Sequence, residues 1–454
     1  MSGSGLQATV TLPPDAPERA AAHHEVHVRP VRPLPVPSMT TQLTVLTEKG
    51  SAPAETAHLQ QIAGGYGKTV RDTDTELTID FDEVTALSWE RHDSYSLYTI
   101  YQPFNLAKFD PQTDLLSQLP LPAGWLAGIP GRTLAAVHAV LLPAYDWSED
   151  AASQFAHRTL GSGRLLGSRL RGDAARLYTT YQLSPTKTSR FLMLCNPMTE
   201  GRAGRITASL LDVERYRMLA LVAYPQARAL LSQLVELEAR LTELTRSIED
   251  ERRDDRGLLD ELIKLAAVVE YDIAAHVGHF DAARAYYAIV EQRIEYLRGS
   301  SLPGLMGVFT FLRRRLVPAM ATVAAATQRM EGLSGRVART ADVLRTRVEV
   351  NAELQTQQLL RGLRRGQTLQ LRLQQTVEGL SIAAISYYIV GLVGYLAKGI
   401  KSLGLAVNES AMTALSIPLA IILVWHTVRR VRRQVHDVDR GDSDDESPSR
   451  PGQA

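Results

Sequence analysis

The sequence predicts an α+β protein of three parts: an N-terminal domain rich in antiparallel strands, a long helical and coiled-coil region, and a C-terminal hairpin of two transmembrane helices. Short runs of β-branched and aromatic residues predict the first part. A helical period that begins near Gly204 predicts the second part. Two long apolar stretches near the end of the chain predict the third. The formal net charge of +1 among 454 residues gives no overall attraction to nucleic acid.

Residues 18–203 are predicted to form the α+β domain, after a polar segment, residues 1–17, that we expect to be disordered. Closely spaced strands favour an antiparallel meander. The Pro-rich run from Pro30 to Pro37 is typical of an extended arm docked on a domain. The predicted strands are Glu76–Phe81, Val84–His92, Tyr95–Gln102, Arg132–Leu142, Leu165–Leu170, Ala174–Leu183 and Ser189–Leu194.

Residues 204–378 are predicted to be long helices, part of them coiled coil. Apolar residues separated by alternate steps of four and three form a heptad seam, as in a coiled coil. The segment Gly299–Pro303 ends one long helix, Pro318 interrupts the next, and a last helix runs from about Ala321 toward the membrane. The seam consists of Leu230, Leu234, Leu237, Leu241, Leu244 and Ile248.

The hairpin is predicted over residues 379–428, with spans at 380–397 and 411–428. Each span approaches the roughly 20 apolar residues that cross a bilayer, and neither contains a charged side chain. Arginines precede the first span and follow the second, so both termini are expected in the cytoplasm.

Residues 429–454 are a basic, then acidic tail that we expect to be disordered. No secretory signal is recognisable at the start, and a single cysteine, Cys195, suits a reducing compartment.

One stripe of residues continues from the last cytoplasmic helix into the first span without a change of phase. Inside the span it consists of Ala384, Tyr387, Gly391 and Gly394. Small residues let membrane helices approach closely. The stripe could pack against the second span of its own hairpin, at Ile417–Trp425, or it could contact other copies of the chain around a pore axis.

Two polar groups are candidate binding sites. His23, His24, Glu25 and His27 could bind a transition metal, or belong to the docked arm. Four arginines near Gly161–Gly163 could contact an anion or a lipid headgroup, or form a salt-bridged surface; they are Arg164, Arg169, Arg171 and Arg176. His276 and His279 share a helical face but are expected to be solvated. We recognise no catalytic constellation, so we expect neither enzymatic activity nor a cofactor.

Several longer motifs resemble a bacterial family of uncharacterised membrane-anchored proteins, known only as a domain of unknown function. The resemblance covers most of residues 18–400 and implies anchoring in the bacterial inner membrane, but it brings no activity or site residues. The motifs are Glu25–Pro30, Trp89–His92, Gly172–Arg176, Glu214–Ala220, Leu371–Ser381 and Ile382–Lys398.

The order of parts is also similar, more distantly, to that of CorA-type magnesium transporters. Those proteins are pentamers whose first span lines a pore, and the resemblance implies a homo-oligomer. Their Gly-Met-Asn motif is not kept, because Tyr395 and Leu396 follow Gly394, and the loop presents Lys398 and Lys401. Two functions follow as expectations: a CorA-like assembly that passes or senses ions, or a membrane-tethered coiled-coil scaffold that recruits cytoplasmic partners.

Overall fold

The computed structural model describes residues 15–19, 31–105, 114–145, 147–161, 163–250, 253–402 and 408–441. By its internal contacts the chain divides into two units, Met1–Leu344 and Arg345–Ala454. Unit 1 contains a nine-stranded sheet and long helices. Unit 2 is helical throughout its described residues.

The sheet of unit 1 has the strand order β2-β3-β4-β1-β5-β8-β7-β6-β9. All neighbouring strands are antiparallel except β5 and β8, which are parallel. The strands are β1 (Ser38–Leu46), β2 (Glu76–Asp80), β3 (Ala86–Arg91), β4 (Tyr95–Pro103), β5 (Arg132–Pro143), β6 (Leu166–Leu170), β7 (Ala175–Thr179), β8 (Ser189–Cys195) and β9 (Ser300–Ser301).

All seven predicted strands are present, and the prediction of a domain rich in antiparallel strands is confirmed. The simple meander is wrong, because β1 lies between β4 and β5 and leaves only the far edge of β5 for β8. The intervening helix and hairpin return the chain so that β8 runs parallel to β5, as a long crossover permits. Strand β1 was not among the predicted strands, although Met39, Leu43 and Val45 recur at every second position or multiple of it, as along one face of a strand.

Helices cover both faces of the sheet. Two short helices, α1 (Ala52–Ala63) and α2 (Glu149–Leu160), lie over the face that presents Met39, Trp89 and Leu192. Three long helices and the beginning of a fourth cover the opposite face, where Val137 and Phe191 belong to the core. The long helices are α3 (Glu200–Leu221), α4 (Ala223–Ile248), α5 (Asp255–Leu297) and α6 (Val308–Ser402).

The predicted leucine seam lies on α4 and is packed inside unit 1. Leu230, Leu234 and Leu241 are buried in the same cluster as the strand residues of β5 and β8. Residues on both sides of the predicted division at 203/204 therefore share one core. The seam is the face by which α4 joins this core.

Helix α6 is continuous through two residues that disfavour helix, Pro318 and Gly379. The predicted interruption at Pro318 does not occur. An internal proline removes one backbone hydrogen bond and strains the preceding turn. Leu316 and Met320, on either side of the proline, are both buried in the core of unit 1. Their burial offsets that local cost.

The extended segment before β1 is docked on the beginning of α3. The backbone N–H of Leu34 donates to the carbonyl oxygen of Glu200 over 3.1 Å, and the Leu34 side chain is buried. The carbonyl of Arg32 approaches the backbone at Gly204 so closely that a β-carbon there would overlap it. Glycine is required at this contact because only glycine lacks the β-carbon. The predicted arm is thus docked over its described residues.

A buried histidine lies at the centre of the sheet. The Nδ1 atom of His138 on β5 is 2.8 Å from the hydroxyl oxygen of Thr41 on β1, and the His138 side chain is fully buried. Burial lowers the pKa of His138 to about 3, with a further lowering by the charge of Arg190 and an opposing effect of Asp114. The neutral imidazole is therefore the form that the fold accommodates.

We expect unit 1 to lose stability as the pH falls below about 6.5, because the unfolded His138 then binds a proton that the folded one excludes. The contribution of this one group is about 1.4 kcal/mol per pH unit between the two pKa values. Urea unfolding of the parent and of His138→Asn at pH 7, 6 and 5 measures it. The variant should show a shallower decline with pH, and equal slopes would contradict the expectation.

Candidate functional site

Two helices of unit 2 are long and apolar enough to cross a membrane. One stretch lies within Val308–Ile400 on α6, and the other is Ser410–Arg430 on α7 (Glu409–Gly441). In each, only 11% of the apolar window is buried inside the protein. Apolar side chains that lie outside a protein core are compatible with the hydrocarbon interior of a bilayer.

The two apolar helices contact each other through one row of α6. Ser386 and Ala397 on α6 are buried, as are Ala420 and Val424 on α7. A cleft of about 250 Å³ between the helices is lined by Ile389 and Val393 of α6, and by Met412, Leu415, Ser416, Leu419, Ala420 and Leu423 of α7. The row that faces α7 therefore runs through Ser386, Val393 and Ala397.

The predicted small-residue stripe lies on a different side of α6. Ala384 and Gly391 are exposed, and the Tyr387 side chain is 77% exposed. Gly394 lies at the margin, where a β-carbon would be 3.7 Å from the hydroxyl of Thr413 on α7. Successive residues of an α-helix are rotated by about 100° around its axis. The centre of the stripe is therefore roughly 130° around the α6 axis from the row that contacts α7. Most of this face is left free by the hairpin.

The part of α6 between unit 1 and the apolar stretch also carries exposed apolar side chains. Leu359, Leu363 and Leu373 are each about two-thirds exposed, among arginines and glutamines. A helix with such a face is normally completed by packing against another helix. Within the described residues of unit 2, this segment of α6 is not covered.

Two of the family-like motifs approach each other on the long-helix face of the sheet. Trp89-Glu90-Arg91 lies at the end of β3 with His92 directly after it, and the segment that begins Glu214-Arg215-Tyr216 lies on α3. Trp89 belongs to the core cluster of the α1 and α2 face. Alternation along the strand directs Glu90 to the opposite face, where it influences the pKa of Arg215. The motifs thus join strand to helix.

A carboxylate shared by two arginines stabilises this junction. Asp212 accepts hydrogen bonds from Arg215 on α3 (2.6 Å) and from Arg293 on α5 (2.9 Å). Burial is the largest single influence and opposes the charge of Arg215, but Asp212 together with Tyr216, Tyr95 and Glu90 outweighs it, so the pKa of Arg215 is raised. The ring of Tyr216 stacks on that of Tyr286, with centroids 5.6 Å apart. Paired charges and stacked rings of this kind position helices.

A family model described as "Protein of unknown function (DUF3422)" matches residues 14–435. The chain belongs to the DUF3422 family. The matched region includes the strand–helix junction and both apolar helices. The comparison with curated proteins finds no match. The sheet domain and the apolar helices therefore belong to the same family, and the description of that family assigns no activity.

The four arginines predicted as an anion contact are divided among separate surroundings in this DUF3422 protein. Arg169 pairs with Glu149, and Arg176 donates to the carbonyl oxygen of Trp147 over 3.2 Å. Arg171 donates to the carbonyl oxygen of Tyr296 over 3.1 Å and lies over its ring. Arg164 is exposed. Three of the four side chains thus have partners in unit 1, and one of them, Arg169, is paired with a carboxylate.

The predicted metal ligands His23, His24, Glu25 and His27 lie outside the described residues. In the part of the chain that the structure describes, no group of three or more His, Cys, Asp and Glu side chains could hold a metal ion. Nδ1 of His276 donates to the carbonyl oxygen of Asp272 in its own helix, and His279 contacts the side-chain oxygen of Gln226. These histidines therefore do not converge on one point.

Proposed function

We propose that this DUF3422 protein is anchored in the bacterial inner membrane by α6 and α7, and that copies associate through the small-residue face of α6 into a CorA-like assembly that passes or senses ions. The observation that carries the proposal is the exposure of Ala384, Tyr387 and Gly391 on the side of α6 that α7 does not cover. A face of small residues within a membrane helix favours close contact with another helix.

The membrane topology follows from charge. Arg364, Arg365 and Arg372 precede the first apolar stretch, and Arg429 and Arg430 follow the second. Positive residues concentrate on the cytoplasmic side of membrane helices. Unit 1 and the C-terminal segment would then both lie in the cytoplasm, with the short connection on the other side.

Self-association is supported by a second feature of the same helix. The exposed leucines before the apolar stretch, Leu359, Leu363 and Leu373, continue as a partly apolar surface toward unit 1. Copies that pack through Gly391 would bring these surfaces together and bury them. Burial of each leucine would contribute about 1.5–3 kcal/mol of favourable transfer free energy before ordering costs.

The ionic part of the proposal rests on the resemblance to CorA-type transporters. The departure at Tyr395 and Leu396 argues against the magnesium selectivity of that group. Lys398 and Lys401 place positive charge near the same end of the span, where an acidic ring would favour cations.

A tethered scaffold is the second candidate function. The polar segment of α6 contains seven glutamines among its exposed leucines, at positions 355, 357, 358, 367, 370, 374 and 375. A long helix with mixed polar and apolar surface can bind partner helices instead of its own copies. If the protein is a scaffold, cytoplasmic partner proteins should remain bound to it when it is purified as a monomer or dimer.

We expect the purified protein in nanodiscs to have the mass of several chains, each of 50.0 kDa. A pentamer would support the CorA-like assembly, because five copies can surround an axis with the Gly391 face. Mass photometry and native mass spectrometry measure the number directly. A monomer or dimer could not enclose such an axis and would favour the scaffold.

Enlarging the face should disrupt the assembly. We expect Gly391→Leu to reduce the assembled fraction at least about tenfold, since the added side chain separates helices that pack on small residues. Gly379→Leu is the matched control, because it makes the same change on the same helix, about 120° from Gly391 around the axis, and its β-carbon would also meet no neighbour. Ion flux into liposomes should fall with Gly391→Leu only, and flux unchanged by it would contradict an ion pathway on this face.

A further inference from the structure

We infer that a groove in unit 1, between the junction of α3 with α4 and the first turns of α6, binds a small amphipathic anion with a carboxylate or phosphate head and an apolar body. The inference does not depend on membrane anchoring or on self-association. It rests on three observations: the apolar walls of the groove, a buried hydroxyl without a partner, and two guanidinium groups on stacked aromatic rings.

The walls provide a surface for an apolar body. The groove has a volume of about 470 Å³ and is lined by Leu221 and Tyr224 from α3 and α4 and, on α6, by Leu312, Leu316, Pro318, Ala319 and Thr322. This volume lies in the range of small-molecule sites, which are mostly apolar with a few placed polar groups. The groove is therefore large enough for a ligand of modest size.

The hydroxyl belongs to Tyr181, whose ring forms part of the lining. Its oxygen is buried and has no hydrogen-bond partner among the residues that the structure describes. The backbone of Tyr181 has a φ of +50°, in the left-handed region that side-chain-bearing residues seldom adopt. The ring stacks on Phe311 and meets Phe191 edge-on, each at 5.7 Å between centroids. A buried hydroxyl without a partner is costly, so a ligand that reached it with an oxygen atom would gain a hydrogen bond there.

Two arginines determine the charge that the groove favours. Arg217 lies over the Tyr181 ring at 5.5 Å and is paired with Glu214. Arg315 lies over the Phe311 ring at 4.8 Å, and within the described part of the chain no carboxylate forms an ion pair with it. The lining thus has one positive charge in excess, on a guanidinium whose planar donors suit carboxylate and phosphate oxygens.

The protonation state of Tyr181 agrees with an anionic head. Burial, and then the negative charge of Glu214, raise the pKa of the Tyr181 hydroxyl. The hydroxyl therefore keeps its proton at neutral pH and can donate it in a hydrogen bond. The groove residues therefore include a hydroxyl donor, Tyr181, and a guanidinium in excess, Arg315, a combination that favours an oxyanion over an ammonium group.

The test measures binding of octanoate, octyl phosphate and octanol to the full chain in zwitterionic nanodiscs, by calorimetry with empty nanodiscs as the blank. We expect one or both anions to bind at least about tenfold more tightly than octanol, as expected for hydrogen bonds to a charged group. Tighter binding of octanoate would identify a carboxylate ligand, and tighter binding of octyl phosphate would identify a phosphate headgroup. Equal binding of octanol would overturn the inference, as would no binding of either anion.

Three variants locate the site. Tyr181→Phe removes only the hydroxyl and keeps both ring contacts, and Arg315→Gln removes the excess charge. Each should weaken anion binding about tenfold and leave octanol binding unchanged. Arg314→Gln is the matched control, since Arg314 is also exposed on α6 but does not line the groove. An equal loss in Arg314→Gln, or no loss in Tyr181→Phe with unchanged thermal stability, would overturn the assignment.

Discussion

Replacing Glu214 by Gln is expected to lower the free energy of unfolding of unit 1 by about 3 kcal/mol, as breaking a buried ion pair does. Glu214 is buried on α3, pairs with Arg217 and accepts a hydrogen bond from Ser189 on β8. The variant leaves the Arg217 guanidinium largely buried without its counter-charge. Urea unfolding of the full chain in nanodiscs measures the change by tryptophan fluorescence, to which unit 1 contributes three of the four tryptophans.

The control is a pair with the same spacing in sequence but a different exposure. Asp281 and Arg284 are also three residues apart on a helix, and both side chains are about half exposed. Exposed pairs contribute little to stability. We therefore expect Asp281→Asn to leave the unfolding midpoint nearly unchanged. A loss in Asp281→Asn as large as in Glu214→Gln would refute the role of burial.

A second large effect is expected from Gly204→Ala, which should destabilise unit 1 by about 1–3 kcal/mol, the usual range for overpacking. The added methyl group would overlap the carbonyl oxygen of Arg32. Because that atom belongs to the backbone, relief requires a shift of the docked segment before β1. Hydrogen exchange at the amide of Leu34, which donates to Glu200, should increase with the substitution.

The Gly201→Ala variant distinguishes the effect of this close contact on stability from the effect of helix propensity. Gly201 lies one turn earlier on α3, and a β-carbon there would be 3.5 Å from the Arg205 side chain, an ordinary contact distance. Alanine is favoured over glycine in a helix by up to about 1 kcal/mol. Gly201→Ala should thus be neutral or slightly stabilising. If both substitutions behaved alike, the contact with Arg32 would not explain the requirement for glycine.

Local sequence patterns predicted most elements of the fold because the side chains of each element match its surroundings in the folded protein. The seven strands carry β-branched and aromatic runs, and the two apolar stretches near Ala384 and Ala420 follow from composition alone. Strand β1 was missed because most residues around Met39, Leu43 and Val45 are threonine or glutamine, polar side chains that are buried here. The parallel pairing of β5 and β8 depends on which strand occupies the other edge of β5. That is a property of the whole sheet.

The sites were less predictable for a similar reason. The stripe through Gly391 could be derived from periodicity, but its freedom from α7 depends on how the hairpin packs. The Tyr181 groove combines residues from a strand end, α3, α4 and α6, and no spacing in the sequence relates them. Arg217 stands out as a charged residue within a family-like motif. Only its position over the Tyr181 ring connects it with Arg315.

The position of β1 in the middle of the sheet has a consequence during protein synthesis. Thr41 on β1 meets His138 on β5, 97 residues later, and Ser168 on β6 meets Val308, 140 residues later. At a synthesis rate of 5–20 residues per second, roughly 5–20 s pass between the synthesis of β1 and that of β5, its second neighbour in the sheet. Such distant pairings slow folding and leave strand edges open. The apolar stretches follow all of these residues, so the ribosome completes every strand before it makes the segments that would enter a bilayer.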